Sequence, residues 1–209
     1  MSFETSKVMG EIGALFLVIS PFAGSINTAL GLVGLVLLLV AFNGLADYYG
    51  DRGIFKNVGY GIIIFIVGIV ITVAIIGIAA AGALTEIGLE MVNFTDPTAW
   101  QEIDVNNINL DTLAPYLAAM AAALVIMFVL TVVAAYFIRK SLKTIAQRSG
   151  VDMFALSGLI LLIGAVLTII LFGFLLLWIA MILLAIAFFR LRPLPPPPVP
   201  AAQTTTPIT

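Results

Sequence analysis

Long apolar segments separated by short polar ones dominate the pattern along the chain. Three apolar regions stand out, at 13–42, 60–84 and 115–190, and the polar stretch 139–152 interrupts the last of them. A helix needs about 20 apolar residues to cross a hydrocarbon core of about 30 Å. The pattern therefore predicts membrane-spanning helices rather than the alternating positions of half-buried strands.

Two apolar stretches are too long for a single pass. Residues 154–189 would form one helix of about 54 Å, so we expect a hairpin that turns at 172–174. Residues 13–42 carry a cluster of turn-forming residues between Ser20 and Thr28, and they too are expected to fold back. The result is an all-α, polytopic membrane bundle of six transmembrane helices, with short hairpins at passes 1–2 and 5–6. The predicted spans are about 10–24, 28–45, 58–84, 113–138, 153–171 and 174–190.

Charge is distributed unevenly between the two sides of this arrangement. With the N-terminus inside, all nine lysines and arginines lie in or beside the inner segments, whereas the loop 85–112 holds six of the eleven acids and no base. This asymmetry follows the positive-inside rule. We therefore expect a multi-pass plasma-membrane protein with both termini cytoplasmic and the acidic loop extracytoplasmic. The inner segments are 1–9, 46–57, 139–152 and 191–209.

The first 25 residues also fit a second interpretation, a secretory signal peptide. Lys7 would precede the apolar stretch 12–21, and Ala23 and Ser25 would provide small residues for cleavage. Glu4 and Glu11 weaken the positive start that such a peptide needs, so an uncleaved first pass is favoured.

Two domains are expected from composition. Residues 1–190 form the transmembrane domain with its acidic loop, and 191–209 form a flexible tail rich in proline and threonine. Within the loop, Asn93 begins an Asn-Phe-Thr acceptor sequence for N-glycosylation.

Small residues on pass 3 recur on one helical face, which predicts a helix-packing seam because helices in lipid associate through close backbone approach. These residues are Gly61, Gly68, Thr72, Ala79 and Gly82. A second cluster, just after pass 4, is basic and is expected to contact anionic lipid headgroups. It consists of Arg139, Lys140, Lys143 and Arg148.

A weak internal repeat relates the two larger inner segments. Leu45-Ala46-x-x-x-Gly50 followed by Phe55 recurs as Ile145-Ala146-x-x-x-Gly150 followed by Phe154, with one residue deleted. Passes 2–3 and 4–5 are then related hairpins, or the match is a coincidence of the biased composition.

The chain contains no cysteine and no histidine. Disulfides, Cys/His zinc sites, iron–sulfur clusters and His or Cys catalysis are therefore excluded. The acidic run 104–111 offers oxygen ligands but lacks the glycine and terminal glutamate of an EF-hand loop. We expect no cofactor, no metal and no catalytic site, and the net charge of −2 argues against nucleic-acid binding.

Three segments resemble a known family. Lys7-x-x-Gly10-x-Ile12-Gly13 leads into pass 1, Gly44-Leu-Ala-Asp-Tyr-Tyr49 follows pass 2, and Ile54-Phe-Lys-Asn57 precedes pass 3. With the hydrophobic layout over roughly residues 5–190, they resemble a family of small, mostly archaeal multi-pass membrane proteins that carry a domain of unknown function. The resemblance implies an archaeal source and an intact N-terminus, but no mechanism.

The leading functional hypothesis is a non-enzymatic scaffold or accessory subunit in a homo-oligomer or larger membrane complex, with membrane lipids as further partners. Passes 2–6 carry no ionisable residue in their middles, which pumps and ion-coupled carriers need. The alternative is a small permease or channel for a neutral or lipid-like substrate. An enzyme with its site on the acidic loop is a third hypothesis.

Overall fold

The computed structural model describes residues 2–86, 110–170 and 172–193. Six helices in this part of the chain are long and apolar enough to cross a membrane, which confirms the prediction of an all-α bundle with six transmembrane helices. The helices are α1 (Phe3–Ile19), α2 (Asn27–Tyr48), α3 (Gly53–Glu86), α4 (Leu110–Ser149), α5 (Met153–Leu167) and α6 (Phe172–Phe189).

The six helices form a ring in which each packs on its neighbours in the chain and α1 packs on α6. Contact is closest within the pairs α1–α2, α3–α4 and α5–α6, and it is loosest between α2 and α3. The bundle is therefore three helical hairpins arranged around a common centre.

The α2–α3 connection, the α4–α5 connection and both described chain ends lie at one end of the ring, called here the basic end. The opposite end, with Glu86 and Asp111 and no basic residue in the described part, is called the acidic end. All six helices contribute to a hydrophobic core at the basic end. Its largest completely buried side chains include Phe154, Phe188, Leu45, Ile54 and Ile145.

Helices α2, α3 and α4 continue further into the basic end than expected. Residues 46–57 and 139–152 were expected to be inner loops, but only the short connections 49–52 and 150–152 lie outside helices. The reason is amphipathicity: along α4, Leu142, Ile145 and Ala146 face the core while basic side chains face outward.

The bend between α5 and α6 lies earlier than expected. A short 3₁₀ turn, Thr168–Ile170, ends α5, and α6 already begins at Phe172. Gly173 is buried, and a Cβ there would collide with the Thr168 nitrogen. The tight approach of α6 to the end of α5 therefore requires glycine inside the first turn of α6, not in a loop.

The two connections at the basic end have the same backbone conformation, and their equivalent positions are 100 residues apart in the sequence. Gly50 (φ 65°) and Gly150 (φ 70°) both end a helix in the left-handed conformation. The Ile54 N–H bonds the Asp51 carbonyl at 3.1 Å, and the Phe154 N–H bonds the Val151 carbonyl at 3.2 Å. The two segments therefore align without the one-residue deletion that the sequence comparison required. Ile54, rather than Phe55, occupies the buried position equivalent to Phe154.

The hairpins differ in length. From its start at Gly53, α3 runs for 34 residues, whereas α5 with its 3₁₀ turn runs for 18, from Met153 to Ile170. Since the two helices start at equivalent positions, α3 continues about 24 Å beyond the end of α5 at 1.5 Å per residue. At the acidic end, α3 and α4 therefore extend past the two shorter hairpins.

Candidate functional site

The centre of the ring contains a cavity of about 70 Å³. Every side chain that lines it is apolar, and an apolar cavity of this kind stays dry. The described residues therefore leave no polar path along the ring axis. The lining residues are Leu17, Leu35, Leu38, Phe42, Val58, Ile62, Ile138, Leu142, Leu161, Met181 and Leu184.

The small residues predicted as a seam on α3 lie against α4. A Cβ on Gly61 would lie 2.9 Å from the Ala134 carbonyl oxygen, and one on Gly68 would lie 3.2 Å from Leu130 Cβ. Nearer the acidic end, Gly82 faces the ring of Tyr116. Thr72 and Ala79, on the same face, are both buried.

Hydroxyl groups in the interior of the bundle donate to backbone carbonyls. Ser157 on α5 donates to Ala180 on α6 at 2.8 Å, and Ser141 on α4 donates to Ile54 on α3 at 2.7 Å. Thr72 donates to Ala123 across the α3–α4 contact at 3.5 Å. These side chains connect helices, which leaves their donors engaged rather than directed at a ligand.

The four basic residues predicted to contact lipid headgroups differ in their surroundings. Lys140 and Lys143 are exposed on α4 and Arg139 is half-buried, and none of them has an ion-pair partner in the described part of the chain. Arg148 instead pairs with Asp51 at 3.3 Å. This ion pair holds the α4–α5 connection against the α2–α3 connection.

A groove of about 680 Å³ lies at the basic end, between the α4–α5 connection and the last turn of α6. Arg190 and Arg192 lie on one side of it and Asp152 on the other. The exposed arginines add to the positive charge of this end, which suits an anionic surface.

Tyr49 is buried at the basic end, and its hydroxyl makes no hydrogen bond that meets standard distance and angle limits within the described residues. Burial, followed by the neighbouring Tyr48, raises the pKa of Tyr49 to about 12, and the nearby Ser149 hydroxyl opposes this only weakly. Tyr49 is therefore neutral at physiological pH.

A lateral cleft of about 530 Å³ lies between the α3–α4 pair and the tip of the α5–α6 hairpin. Its walls are apolar apart from Thr131 and Thr168, whose hydroxyls donate to the Met127 and Ala165 carbonyls of their own helices. The surface of the cleft is therefore apolar, and the donors of both threonine hydroxyls are already engaged. It is lined by Phe65, Leu124, Met127, Phe128, Thr131, Thr168, Ile169, Phe174 and Leu177.

Several predicted features lie outside the described residues. They are the acceptor Asn93, residues 104–109 of the acidic run and the tail from residue 194 onward, whereas Asp111 lies in the first turn of α4. In the part that the structure describes, no group of three or more Asp and Glu side chains could hold a metal ion.

Sequence reasoning missed a relation between α1 and α5. Phe3, Ser6, Gly13 and Ala14 on α1 are buried, and so are their counterparts 151 residues further along the chain on α5. Gly13 contacts α2 as Gly164 contacts α6. The shared spacing Phe-x₂-Ser-x₆-Gly-Ala was visible in the sequence and could have identified the two short hairpins as related. The counterparts are Phe154, Ser157, Gly164 and Ala165.

Comparison with known proteins gives a family and a relative. A family model described as a protein of unknown function (DUF996) matches residues 30–182. An uncharacterized protein of the archaeon Methanocaldococcus jannaschii is 27% identical over 191 residues, which are 91% of this chain and 94% of the relative. No solved structure matches.

Proposed function

Because the chain belongs to the DUF996 family, for which no function is defined, we propose a function from the geometry: a membrane scaffold or accessory subunit that assembles with copies of itself. It has no catalytic centre in this proposal. The observation that carries it is a surface on α3 that packing among the described residues leaves free.

This surface is a second row of small residues on α3, on the side away from α4. Ala74, Gly77 and Ala81 are exposed, and a Cβ added to Gly77 would meet nothing within 4 Å among the described residues. Their spacing places them on one helical face. Because small residues allow close helix approach in lipid, this face suits a helix of a second copy.

The apolar lining of the centre favours assembly over passage of a polar solute. All six helices contribute apolar side chains to the small central cavity, and polar groups near it bond to backbone. A ring with an exposed small-residue face is the arrangement expected of a subunit that packs against other helices.

Orientation and location form part of the proposal. Both termini are cytoplasmic, the membrane is the plasma membrane, and residues 87–109 are extracytoplasmic. Support comes from Arg139, Lys140 and Lys143 at the basic end, which have no ion-pair partner among the described residues and suit the anionic headgroups of the cytoplasmic leaflet.

Oxidative crosslinking tests the assembly, since the chain has no cysteine of its own. Gly77→Cys should give a covalent dimer in membranes, and the matched variant Leu156→Cys, exposed on α5, should not. Native mass spectrometry from lipid nanodiscs should show an oligomer that Gly77→Leu converts to monomer. A monomer in nanodiscs with no Gly77→Cys crosslink contradicts the proposal.

The second candidate is a permease for a lipid-like substrate, and the lateral cleft of about 530 Å³ favours it. Its apolar lining suits an acyl chain. In proteoliposomes, transbilayer movement of a fluorescent phospholipid should then slow several-fold when Leu124→Trp fills the cleft. If the phospholipid crosses the bilayer at the same rate in vesicles with and without the protein, this candidate is excluded.

A further inference from the structure

The groove at the basic end combines cationic and apolar side chains. Arg190 and Arg192 line it together with the apolar residues Val151, Met153 and Phe189. Its volume of about 680 Å³ is large enough for a headgroup rather than a single ion. Basic pockets at the ends of transmembrane helices are typical sites for anionic headgroups, whose neighbouring acyl chains need an apolar surface.

The core of the bundle holds the two arginines in position. Leu191, which lies between them in the chain, is only 1% exposed and belongs to the core of the basic end. Its N–H bonds the Phe188 carbonyl at 3.1 Å, and the Arg190 N–H bonds the Ile186 carbonyl at 3.1 Å. With Leu191 directed into the core, Arg190 and Arg192 are both exposed. The positive charge of the groove is therefore carried by backbone that the bundle fixes.

This positive charge is not neutralised within the described part of the chain. Neither Arg190 nor Arg192 forms an ion pair there, although Asp152 also lines the groove. By contrast, Arg148 at the same end pairs with Asp51 at 3.3 Å. Because a guanidinium group presents several donors in one plane, two arginines without such partners suit the oxygens of a phosphate group.

The equivalent connection between α2 and α3 contains its own anion. There the Asp51 carboxylate accepts the Gly53 N–H at 2.9 Å and pairs with Arg148. In the α4–α5 connection Val151 stands at the position of Asp51, and the Asp152 side chain makes no capping bond. A phosphate oxygen in the groove can take the role that the Asp51 carboxylate has in the first connection.

The groove lies at the open end of a hairpin whose length matches a membrane. The spans Met153–Ile170 and Phe172–Phe189 each have 18 residues, about 27 Å, against a hydrocarbon core of about 30 Å. The start of α5 and the end of α6 therefore lie at one surface of that core. Phe189 is 52% exposed and Ile186, one turn earlier in α6, is also exposed, so acyl chains can lie beside the groove.

From these observations we propose that the groove binds the phosphate group of one anionic phospholipid. Arg190 and Arg192 donate to the phosphate oxygens, and the acyl chains lie along Phe189 and the outward face of α6. This is a discrete site, in contrast to the general attraction between headgroups and the basic residues of α4. It does not depend on the proposed scaffold function, because a single copy contains the whole groove.

Native mass spectrometry of the full-length protein can count the bound lipids. The protein is delipidated in a non-ionic detergent and titrated with phosphatidylglycerol or with phosphatidylcholine. We expect one phosphatidylglycerol to bind first, and its Kd to rise about tenfold in the double variant Arg190→Gln/Arg192→Gln. The matched control Lys56→Gln/Lys140→Gln removes two exposed lysines of the α3–α4 pair and should change this Kd by less than about twofold.

A third variant should change the affinity in the opposite direction. Asp152→Asn removes a carboxylate that lines the groove and repels the phosphate group. Its Kd for phosphatidylglycerol should fall by about two- to threefold. Weaker binding in this variant contradicts the assignment of the site.

Three further results would overturn the proposal. An equal rise in Kd for both double variants, or no rise in either, means that binding depends on total charge or lies elsewhere. Equal binding of phosphatidylcholine means that the negative charge of the lipid is not recognised. If inorganic phosphate binds as tightly as phosphatidylglycerol and displaces it, the groove is a site for a soluble anion. Should the double variant fail to fold, Arg192→Gln alone provides the same comparison.

Discussion

The basic end and the acidic end of this ring are stabilised in different ways. At the basic end all six helices share one core, with Phe154, Phe188 and Ile54 completely buried. Among the described residues, only α3 and α4 continue at the acidic end, and buried positions there, such as Thr72 and Ala123, lie between those two helices. One end therefore resembles the core of a soluble protein, whereas the other buries side chains only where two helices meet.

The largest effect is expected from an aromatic residue in the shared core of the basic end, with an exposed aromatic residue at the α5–α6 tip as its control. Phe154→Ala removes a completely buried ring that packs edge-on against Phe188 with centroids 5.2 Å apart. We expect a loss of about 3–5 kcal/mol in the free energy of unfolding. Phe174→Ala, at an exposed position, should lose less than about 1 kcal/mol. Equal losses in mixed-micelle denaturation would remove the distinction between the two regions.

Alkaline pH should weaken the basic end through Tyr49. Its pKa is raised to about 12 in the folded protein from an ordinary 10.0, so folding favours the neutral phenol. This contribution is present below pH 10 and is lost as pH rises through 12. The loss amounts to roughly 2–3 kcal/mol. In unfolding titrations between pH 9 and about 12, Tyr49→Phe should lose less stability than the unmodified chain. Parallel curves would show that Tyr49 ionises normally.

Close backbone contact in the α1–α2 hairpin can be tested with one methyl group. A Cβ on Gly13 would lie 2.8 Å from the Gly34 carbonyl oxygen and 2.9 Å from the Leu38 nitrogen. Gly13→Ala should therefore separate the helices and destabilise the protein by about 1–3 kcal/mol. Gly59→Ala, where nothing lies within 4 Å, is the control and should be neutral or slightly stabilising. Thermal unfolding in detergent distinguishes the two, and a neutral Gly13→Ala would mean that the contact is loose.

The smallest expected effect concerns the ion pair between the two basic-end connections. The Asp51 carboxylate accepts the Gly53 N–H at 2.9 Å at the start of α3 and also pairs with Arg148. Asp51→Asn keeps an acceptor and should lose less than about 1 kcal/mol, because the pair is largely exposed. Asp51→Ala removes the cap too and should lose about 0.5–2 kcal/mol. If Asn and Ala variants unfold identically, the cap contributes nothing.

The hydrophobic pattern predicted the number and order of the helices because the length of an apolar run is a local property. It did not predict where α4 ends, since Leu142 and Ile145 become core residues only when the other hairpins pack around them. The partner of Arg148 was unpredictable for a similar reason. Asp51 lies 97 residues away in the chain, and only the ring brings the two connections together.

By itself, the sequence determined that the chain is a bundle of six apolar helices, and the resemblance carried by its short motifs identified its family. The tertiary structure decided that the helices close into a ring of three hairpins and that α3 and α4 extend past the other two at the acidic end. The physical reason is that relative reach along the bundle depends on which positions of different helices lie side by side. That alignment exists only once Gly158 packs on Arg139 and sets α5 beside the charged end of α4.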